Sequence, residues 1–310
     1  MLADFLVNFI IITLLTIRES KGRPLKALIF LPVSFALASC GGTSTPVTLS
    51  DAGYAKAGDA VVGGTSYTIK QVPRVVGTSQ NRTIEAQDIL YKIARDGESI
   101  EITLDGTSYT LPSAIPTYGY AIQDGPLLIA VNRVSTISPV AESLTIFSYN
   151  EETDVLNDGD LIIGLDTNPA TLAREDGSAT YTGELLVTLR NGDDQGFGQG
   201  DASLSVNFDT SQIAGTFTTT DSGFSNTQLT VPDATFALEQ TDIDGNGFAG
   251  KIRQLSGDTD ANIIYSAYAG NFFGSQGETV GGVISARLDE PDTEFDTLVS
   301  GSFITNKRDQ

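Results

Sequence analysis

The sequence predicts a mainly β protein: a C-terminal antiparallel up-and-down β-barrel of about eight strands, preceded by a smaller β-rich subdomain with one short helix. Three observations lead there. Residues 175–310 carry short apolar runs that alternate with polar residues and are separated by Gly, Asn and Asp turns. The chain has 32 glycines and a single Met, a usage that favours strands and turns over helices. Apolar residues make up 40% and charged residues only 18% of the chain, which is the balance of a folded protein.

Two apolar runs open the chain. Phe5–Ile17 is shorter than the ~20 residues a membrane-spanning helix needs. Ala27–Ala38 follows Arg23 and Lys26 and ends in Leu37-Ala38-Ser39-Cys40-Gly41. A basic start, a short apolar core and small residues before the cut describe a secretory signal. The Leu-Ala-Ser-Cys end resembles the bacterial lipobox. That resemblance implies cleavage before Cys40, diacylation of its sulfur and acylation of the new amine, so that residues 1–39 are a lipoprotein signal peptide. Cys40 is the only cysteine of the chain and is the expected lipidation site. Acyl chains contribute roughly 0.8 kcal/mol per buried CH₂, so several of them hold a protein stably. Residues 1–20 stand upstream of a complete signal, as an extended n-region or an overcalled start.

Gly41–Asp59 is small and polar and reads as a flexible tether, with Cys40, over residues 40–59. Residues 60–170 form the smaller β-rich region. Ser66–Ile69 is a short strand candidate. In Ile84–Ala94 the spacing of Ile89, Leu90, Ile93 and Ala94 predicts the short amphipathic helix, with Thr83 as its N-cap. Glu101–Leu104 and Thr107–Leu111 flank Asp105-Gly106, a hairpin with a type I′ turn. Leu127–Val131 and Ser143–Tyr149 continue the β character, and Pro169 and Gly177 mark the boundary.

The carboxy-terminal part, residues 175–310, alternates more cleanly. Thr180–Arg190 is strand-rich, and Asp193–Asp201 reads as a glycine-rich acidic loop. Ala202, Leu204, Val206 and Phe208 alternate with polar residues, as do Ile213, Gly215 and Phe217, then Ala234, Phe236 and Leu238. Phe248–Leu255, Ile263–Ala269, Val283–Leu288 and Leu298–Ile304 complete the series; such strands argue for a closed antiparallel barrel or a sandwich, and closure is favoured because it removes exposed edges.

Composition limits the chemistry. The chain has no histidine, which excludes Ser-His and Cys-His nucleophilic pairs and His-ligated metal or haem. One cysteine excludes an internal disulfide and a Cys-cluster site. Beyond residue 39 there are 14 basic and 37 acidic residues, a surface that repels phosphate backbones, so nucleic acid is not an expected partner. Asp242-Ile243-Asp244-Gly245-Asn246-Gly247 matches the start of an EF-hand loop, yet the twelfth position, where a bidentate Glu belongs, is Arg253. A β-turn is the preferred reading there. Asp193, Asp194 and Asp201 likewise read as a solvated acidic loop. Asn81-Arg82-Thr83 fits a glycosylation sequon. Carboxylate pairs for glycoside hydrolysis are numerous but none is singled out, and Lys70, Lys92 and Lys251 offer Ser-Lys chemistry without a motif. No catalytic residue, metal or cofactor is expected.

The most distinctive stretch is Gly270-Asn271-Phe272-Phe273-Gly274, followed by Gly281-Gly282: a strand end, a tight reversal and a strand start. Phe272 and Phe273 point to opposite faces, so one ring faces a core and the other is expected to have none. This stretch resembles the G-x-F-Y-G…G-G signature of transferrin-binding-protein-B-like β-barrel surface lipoproteins, a group related to factor-H-binding-type lipoprotein barrels. Ala179–Gly183, Gly247-Phe248 and Gly301–Phe303 support the resemblance, which covers roughly residues 175–310 plus the lipobox. The sequence departs from the pattern where Gly277 replaces an Ala and Glu278 comes one position early, with Thr279 after it. Bilobed transferrin binders are also much longer, and the one barrel expected here cannot supply two lobes, so transferrin itself is not the expected ligand.

The resemblance implies an up-and-down barrel of about eight strands, lipid-anchored at the Gram-negative outer membrane on its periplasmic or cell-surface face. It also implies a non-catalytic binding module for a protein or small ligand, acting as an accessory to iron or solute uptake, with an outer-membrane receptor as one expected partner. The alternative is an envelope lipoprotein of structural or interaction type without a solute ligand. Gly270, Phe272, Phe273, Gly274, Gly281 and Gly282 are expected to shape the barrel rather than to bind.

Overall fold

The computed structural model describes residues 65–308 except 79–80, 94–98, 105, 116–118, 136–137, 139, 193, 222–228, 230, 232, 258–261 and 290–295. The signal segment, the tether and Cys40 lie outside the described residues. All described elements belong to one compact unit, Pro46–Gly223 with Thr227–Gln310.

The first eight strands are β1 (Thr65–Thr78), β2 (Asn81–Ile93), β3 (Ser99–Leu104), β4 (Thr107–Ile115), β5 (Gly119–Asp124), β6 (Leu127–Ser135), β7 (Ala141–Asn150) and β8 (Val155–Gly164). Each pairs with the next, and β8 returns to β1 with Leu156–Asp158 opposite Val75–Gly77, so the smaller region is itself a closed barrel. Strand β3 shows how it forms: Ile100, Ile102 and Leu104 alternate inward, as a period-two strand with one buried face requires. They meet Leu111, Val131, Leu144 and Ile146 in a single interior cluster. The Asp105-Gly106 hairpin is present, with Leu104 opposite Thr107 and Gly106 at φ +78°.

One expectation for this region is corrected, and one strand was not anticipated. The segment 84–94 is no helix: through Ile93 it is strand β2, laddered to β1 on one side and β3 on the other. Its apolar residues satisfy two periods at once, because Ile89, Tyr91 and Ile93 also alternate, and strand partners on both sides decide between them. Strand β8 passes unrecognised in the sequence because Asn157-Asp158-Gly159-Asp160 imitates a turn. It is nevertheless buried from Leu156 to Gly164. Such a strand is tolerated because its carboxylates are paired: Asp160 accepts a 2.6 Å hydrogen bond from the Thr145 hydroxyl, and Asp158 meets Arg190.

The one helix among the described residues, α1 (Pro169–Leu172), follows the first barrel. Asn168 caps it by accepting from the Ala170 amide at 2.9 Å, with Pro169 in the first turn, where its missing N–H costs nothing.

The second sheet contains β9 (Ser178–Asn191), β10 (Asp194–Asn207), β11 (Gln212–Asp221), β12 (Ala234–Asp244), β13 (Gly247–Gly250), β14 (Ile252–Gly257), β15 (Asn262–Phe273), β16 (Thr279–Asp289) and β17 (Thr297–Lys307). Its order is β11-β10-β9-β17-β16-β15-β13-β12-β14, and β11 also pairs with β12. That pairing closes a ring through β12, with β14 laddered to β12 beside β13. Because β13 and β14 are successive stretches that both pair with β12, the wall has the eight positions expected. Tyr181, Phe217, Tyr268, Phe272 and Phe303 dominate the interior.

The expected acidic loop at 193–201 is corrected as well: from Asp194 onward it is the first half of β10. The glycines there serve close approach rather than turning. A Cβ on Gly196 would lie 2.5 Å from the Leu229 carbonyl oxygen, and one on Gly198 would lie 2.6 Å from a Val231 methyl. Leu229 and Val231 thus lie against the strand at its glycines, and the buried Val231 joins the barrel core.

Candidate binding surface

The signature turn sits where the two barrels meet. Phe272 is wholly buried in the second barrel, edge-on to Tyr181 at 6.0 Å and to Phe248 at 5.9 Å between ring centroids. Phe273 points the opposite way, as strand geometry demands. The expectation that this second ring lacks a core is overturned. Phe273 is 3% exposed and packs with Val140, Ala141 and Ile162 of the first barrel and Ile304 of β17. The outer face of β15 at this point is a contact face between barrels.

The reversal explains both departures from the family pattern. Gly277 has φ +69°, a left-handed conformation that an Ala would strain, and its carbonyl accepts the Tyr181 hydroxyl at 2.8 Å. Glu278 closes the turn with its own carboxylate, which accepts from the Ser275 hydroxyl and the Gln276 amide, each at 2.9 Å. A Cβ on Gly274 (φ +92°) would collide with that carboxylate. Gly270 makes room for the Phe248 ring and Gly282 for the Phe303 ring, while Gly281 lies against Ile162. All six motif residues lie in the wall or the closing turn of the second barrel, with Phe273 and Gly281 facing the first.

The connector from β8 fastens this turn. Gly274 donates its amide to the Leu165 carbonyl (2.7 Å), the Thr167 amide donates to the Phe272 carbonyl (3.0 Å), and the Thr167 hydroxyl donates to the Gly274 carbonyl (2.8 Å). Asp166, paired with Phe273 in an isolated bridge, has its carboxyl pKa raised by loss of solvation, against a hydrogen bond from Asn246 that lowers it. Buried hydroxyls bridge the barrels: Ser138 with Thr279 at 2.7 Å and Ser143 with Ser302 at 2.6 Å. Arg190 of β9 donates from Nε to Asp158 of β8 at 3.0 Å and from Nη1 to Gln195 at 3.1 Å.

The other sequence candidates are dispersed. Asp242–Gly247 is the hairpin between β12 and β13, with Asp244 opposite Gly247. Asp194 and Asp201 lie along β10, and Asp193 and Cys40 fall outside the described residues. Lys70 and Lys92 are on β1 and β2, and Lys251 is on the outer wall of the second barrel. Among the described residues no three of His, Cys, Asp and Glu gather into a metal-binding group.

The sequence reading missed a concave surface on that wall. A groove of about 700 Å³ is lined by Glu239, Lys251–Gln254 and Ile263–Ser266. Tyr268 explains its position. The Tyr268 ring lies beneath Gly250, where a Cβ would come within 2.8 Å of it, and its hydroxyl donates to the Glu239 carbonyl at 2.5 Å. Burial, then the Glu239 charge, pushes the Tyr268 hydroxyl up to about 12. The run Ile263-Ile264-Tyr265, three apolar residues where alternation should continue, was the available signal.

Comparison with known proteins bears on the second barrel. The family model described as the C-lobe and N-lobe β-barrels of Tf-binding protein B matches residues 174–307. This segment belongs to that barrel family. The transferrin-binding-protein-B-type barrel thus begins at the end of α1 and runs through β17. Among solved structures, the isotype 1 transferrin binding protein B of serogroup B Neisseria meningitidis is 18% identical over 78% of this chain and 44% of its own, with a TM-score of 0.46. A vaccine-antigen transferrin binding protein B variant from Haemophilus parasuis Hp5 is 14% identical over 80% and 45%, also with a TM-score of 0.46. The chain spans less than half the length of these proteins. No curated protein matches the sequence.

Proposed function

We propose that the protein is a non-catalytic binding lipoprotein, anchored through acylated Cys40 and holding a protein partner at the surface of a Gram-negative outer membrane. The match of residues 174–307 to the transferrin-binding-protein-B barrel family carries this reading. Two features support it. Side chains fill the interiors of both barrels, so recognition falls to loops and walls rather than to an internal chamber, and an unlipidated route to the membrane is not needed when the sole cysteine closes a lipobox. A service to iron or solute uptake is the corresponding role, with a transferrin-type iron carrier among the partners to try because the matching family model is that of Tf-binding protein B barrels.

The test uses whole cells expressing the full chain. Labelled transferrin and a panel of other host plasma proteins should include one that binds these cells but not cells carrying Cys40→Ala, which should also lose palmitate incorporation. Protease shaving of intact cells should release the barrels. A chain that stays protected from protease and binds no member of the panel sinks the reading and favours an internal envelope role.

A further inference from the structure

We propose that the open seam between β14 and β15 takes up an extended acidic peptide segment as an added strand. This inference rests on the reading of the chain as a partner-binding module. It adds where the partner docks and what chemistry docks there.

The seam follows from the pairing pattern. Strand β15 is laddered to β16 along one edge, but on the other it meets β13 only from Tyr268 to Asn271. Strand β14 is laddered only to β12. Where these two free edges first face each other, the Ser266 hydroxyl substitutes for the ladder: it accepts from the Ile252 amide at 3.1 Å and donates to the Ile252 carbonyl at 2.8 Å. Beyond Ser266, no ladder joins β14 to β15 among the described residues, and the groove of about 700 Å³ occupies this place. Unpaired strand edges present main-chain donors and acceptors in the spacing that an incoming strand satisfies.

The side chains at the seam select the occupant. Ile264 and Tyr265, at 54% and 48%, are the only large hydrophobics exposed among the described residues. They are adjacent, and the register between β15 and β16 shifts there, leaving Ile264 as the extra residue of a bulge that turns its side chain outward. An edge guarded only against aggregation carries charge or a bulge but gains nothing from two exposed apolar side chains. The charge here also departs from the rest of the molecule. In a chain with 39 acidic and 18 basic residues, the groove carries Lys251 and Arg253 against the single carboxylate of Glu239. Neither cation has an ion-pair partner among the described residues, whereas nearby Arg287 is committed to Asp296. An extended segment that alternates apolar and acidic side chains meets all three features: backbone edges, apolar pair and cations.

The experiment uses the full chain and a fluorescein-labelled Val-Glu-Val-Asp-Val-Glu peptide followed by anisotropy. Binding should be at least tenfold tighter than that of the same peptide with Lys in place of its acids, and it should vanish when alternate amides are N-methylated. The Lys251→Glu/Arg253→Glu variant and, separately, Ile264→Lys should each weaken binding tenfold or more with unchanged melting temperature. Equal binding of the Lys-substituted or N-methylated peptide, or no binding by the wild type, overturns the proposal. A dimer in sedimentation that Ile264→Lys converts to monomer also overturns it, in favour of a second copy as the occupant. If the seam variants still bind the plasma-protein partner on cells as well as wild type, the seam proposal fails while the binding-module reading stands.

Discussion

Arg190 on β9 and Asp158 on β8 form an ion pair across the junction of the barrels, with both side chains only 5% exposed. The pair explains how β8 is buried despite its turn-like sequence, since each charge is the other's answer to lost solvation. Breaking a buried pair by removing one partner leaves an uncompensated charge and costs about 3–5 kcal/mol. Arg190→Met should therefore destabilise the protein by that order in urea unfolding. The double variant Arg190→Met/Asp158→Leu should recover most of the loss, because it leaves no charge behind. A double variant as unstable as the single one would show that the pair holds the fold through geometry rather than charge compensation.

Phe272 and Phe273 are sequence neighbours that serve different cores, so their truncations should be separable. Phe272→Ala removes a ring at the centre of the second barrel and should cost about 3–5 kcal/mol. Phe273→Ala opens the contact between barrels instead. Scanning calorimetry should resolve it as a weakened coupling, with one cooperative transition splitting into two, while Phe272→Ala lowers the transition of the second barrel. Identical effects from both variants would contradict the two-core arrangement.

The alternating strands of the second barrel were legible because one face of each meets a core and the other meets solvent, as Ala202, Leu204 and Val206 show. Legibility failed where that condition failed. Strand β8 is buried on both faces, so its pattern does not alternate, and the partners of its acids lie up to 32 residues away in sequence. The burial of Phe273 depends on Val140 and Ile162, which no local pattern announces. The helical reading of 84–94 failed because a period of two and a period of 3.6 coincide over so few residues. At the candidate site, the strand end, tight reversal and strand start of Gly270–Gly282 were readable from its glycines. The groove was not: it arises from a ladder that stops, and the one trace in the sequence, the apolar run Ile263-Ile264-Tyr265, marks the bulge on β15 rather than the gap beside it.

Gly277 sits in the signature turn at a φ of +69°, a left-handed conformation that favours glycine over any residue with a side chain. A side chain there would be held in the left-handed region and would meet Leu172 at 3.2 Å. Gly277→Ala should lower stability by about 1–3 kcal/mol, the usual range for such backbone strain. Glu278→Gln should cost less, because the amide oxygen still accepts one of the two hydrogen bonds that close the turn. The comparison is made by urea midpoint at equal m-value. A Gly277→Ala variant as stable as wild type would mean the turn relaxes to another conformation.

Tyr268 ties the inside of the second barrel to the strand behind the groove, and its titration gives the protein a predictable alkaline limit. An unfolded tyrosine loses its proton near pH ~10. In the fold, burial and then the Glu239 charge hold the Tyr268 proton up to about 12. The folded pKa lies above the unfolded one, so this contribution to stability is whole below about pH 10. It then falls by about 1.4 kcal/mol per pH unit and is gone once the pH passes the folded value. Tyr181 acts in the same direction, raised by burial and by Glu175 and Glu278. Urea unfolding between pH 8 and pH 12 should therefore show stability falling only above pH ~10. Tyr268→Phe should flatten that fall at the expense of about 0.5–1.5 kcal/mol at pH 8, from the lost hydrogen bond to the Glu239 carbonyl. An unchanged alkaline slope in Tyr268→Phe would assign the limit to Tyr181, and the Tyr181→Phe variant read the same way would then have to show the flattening.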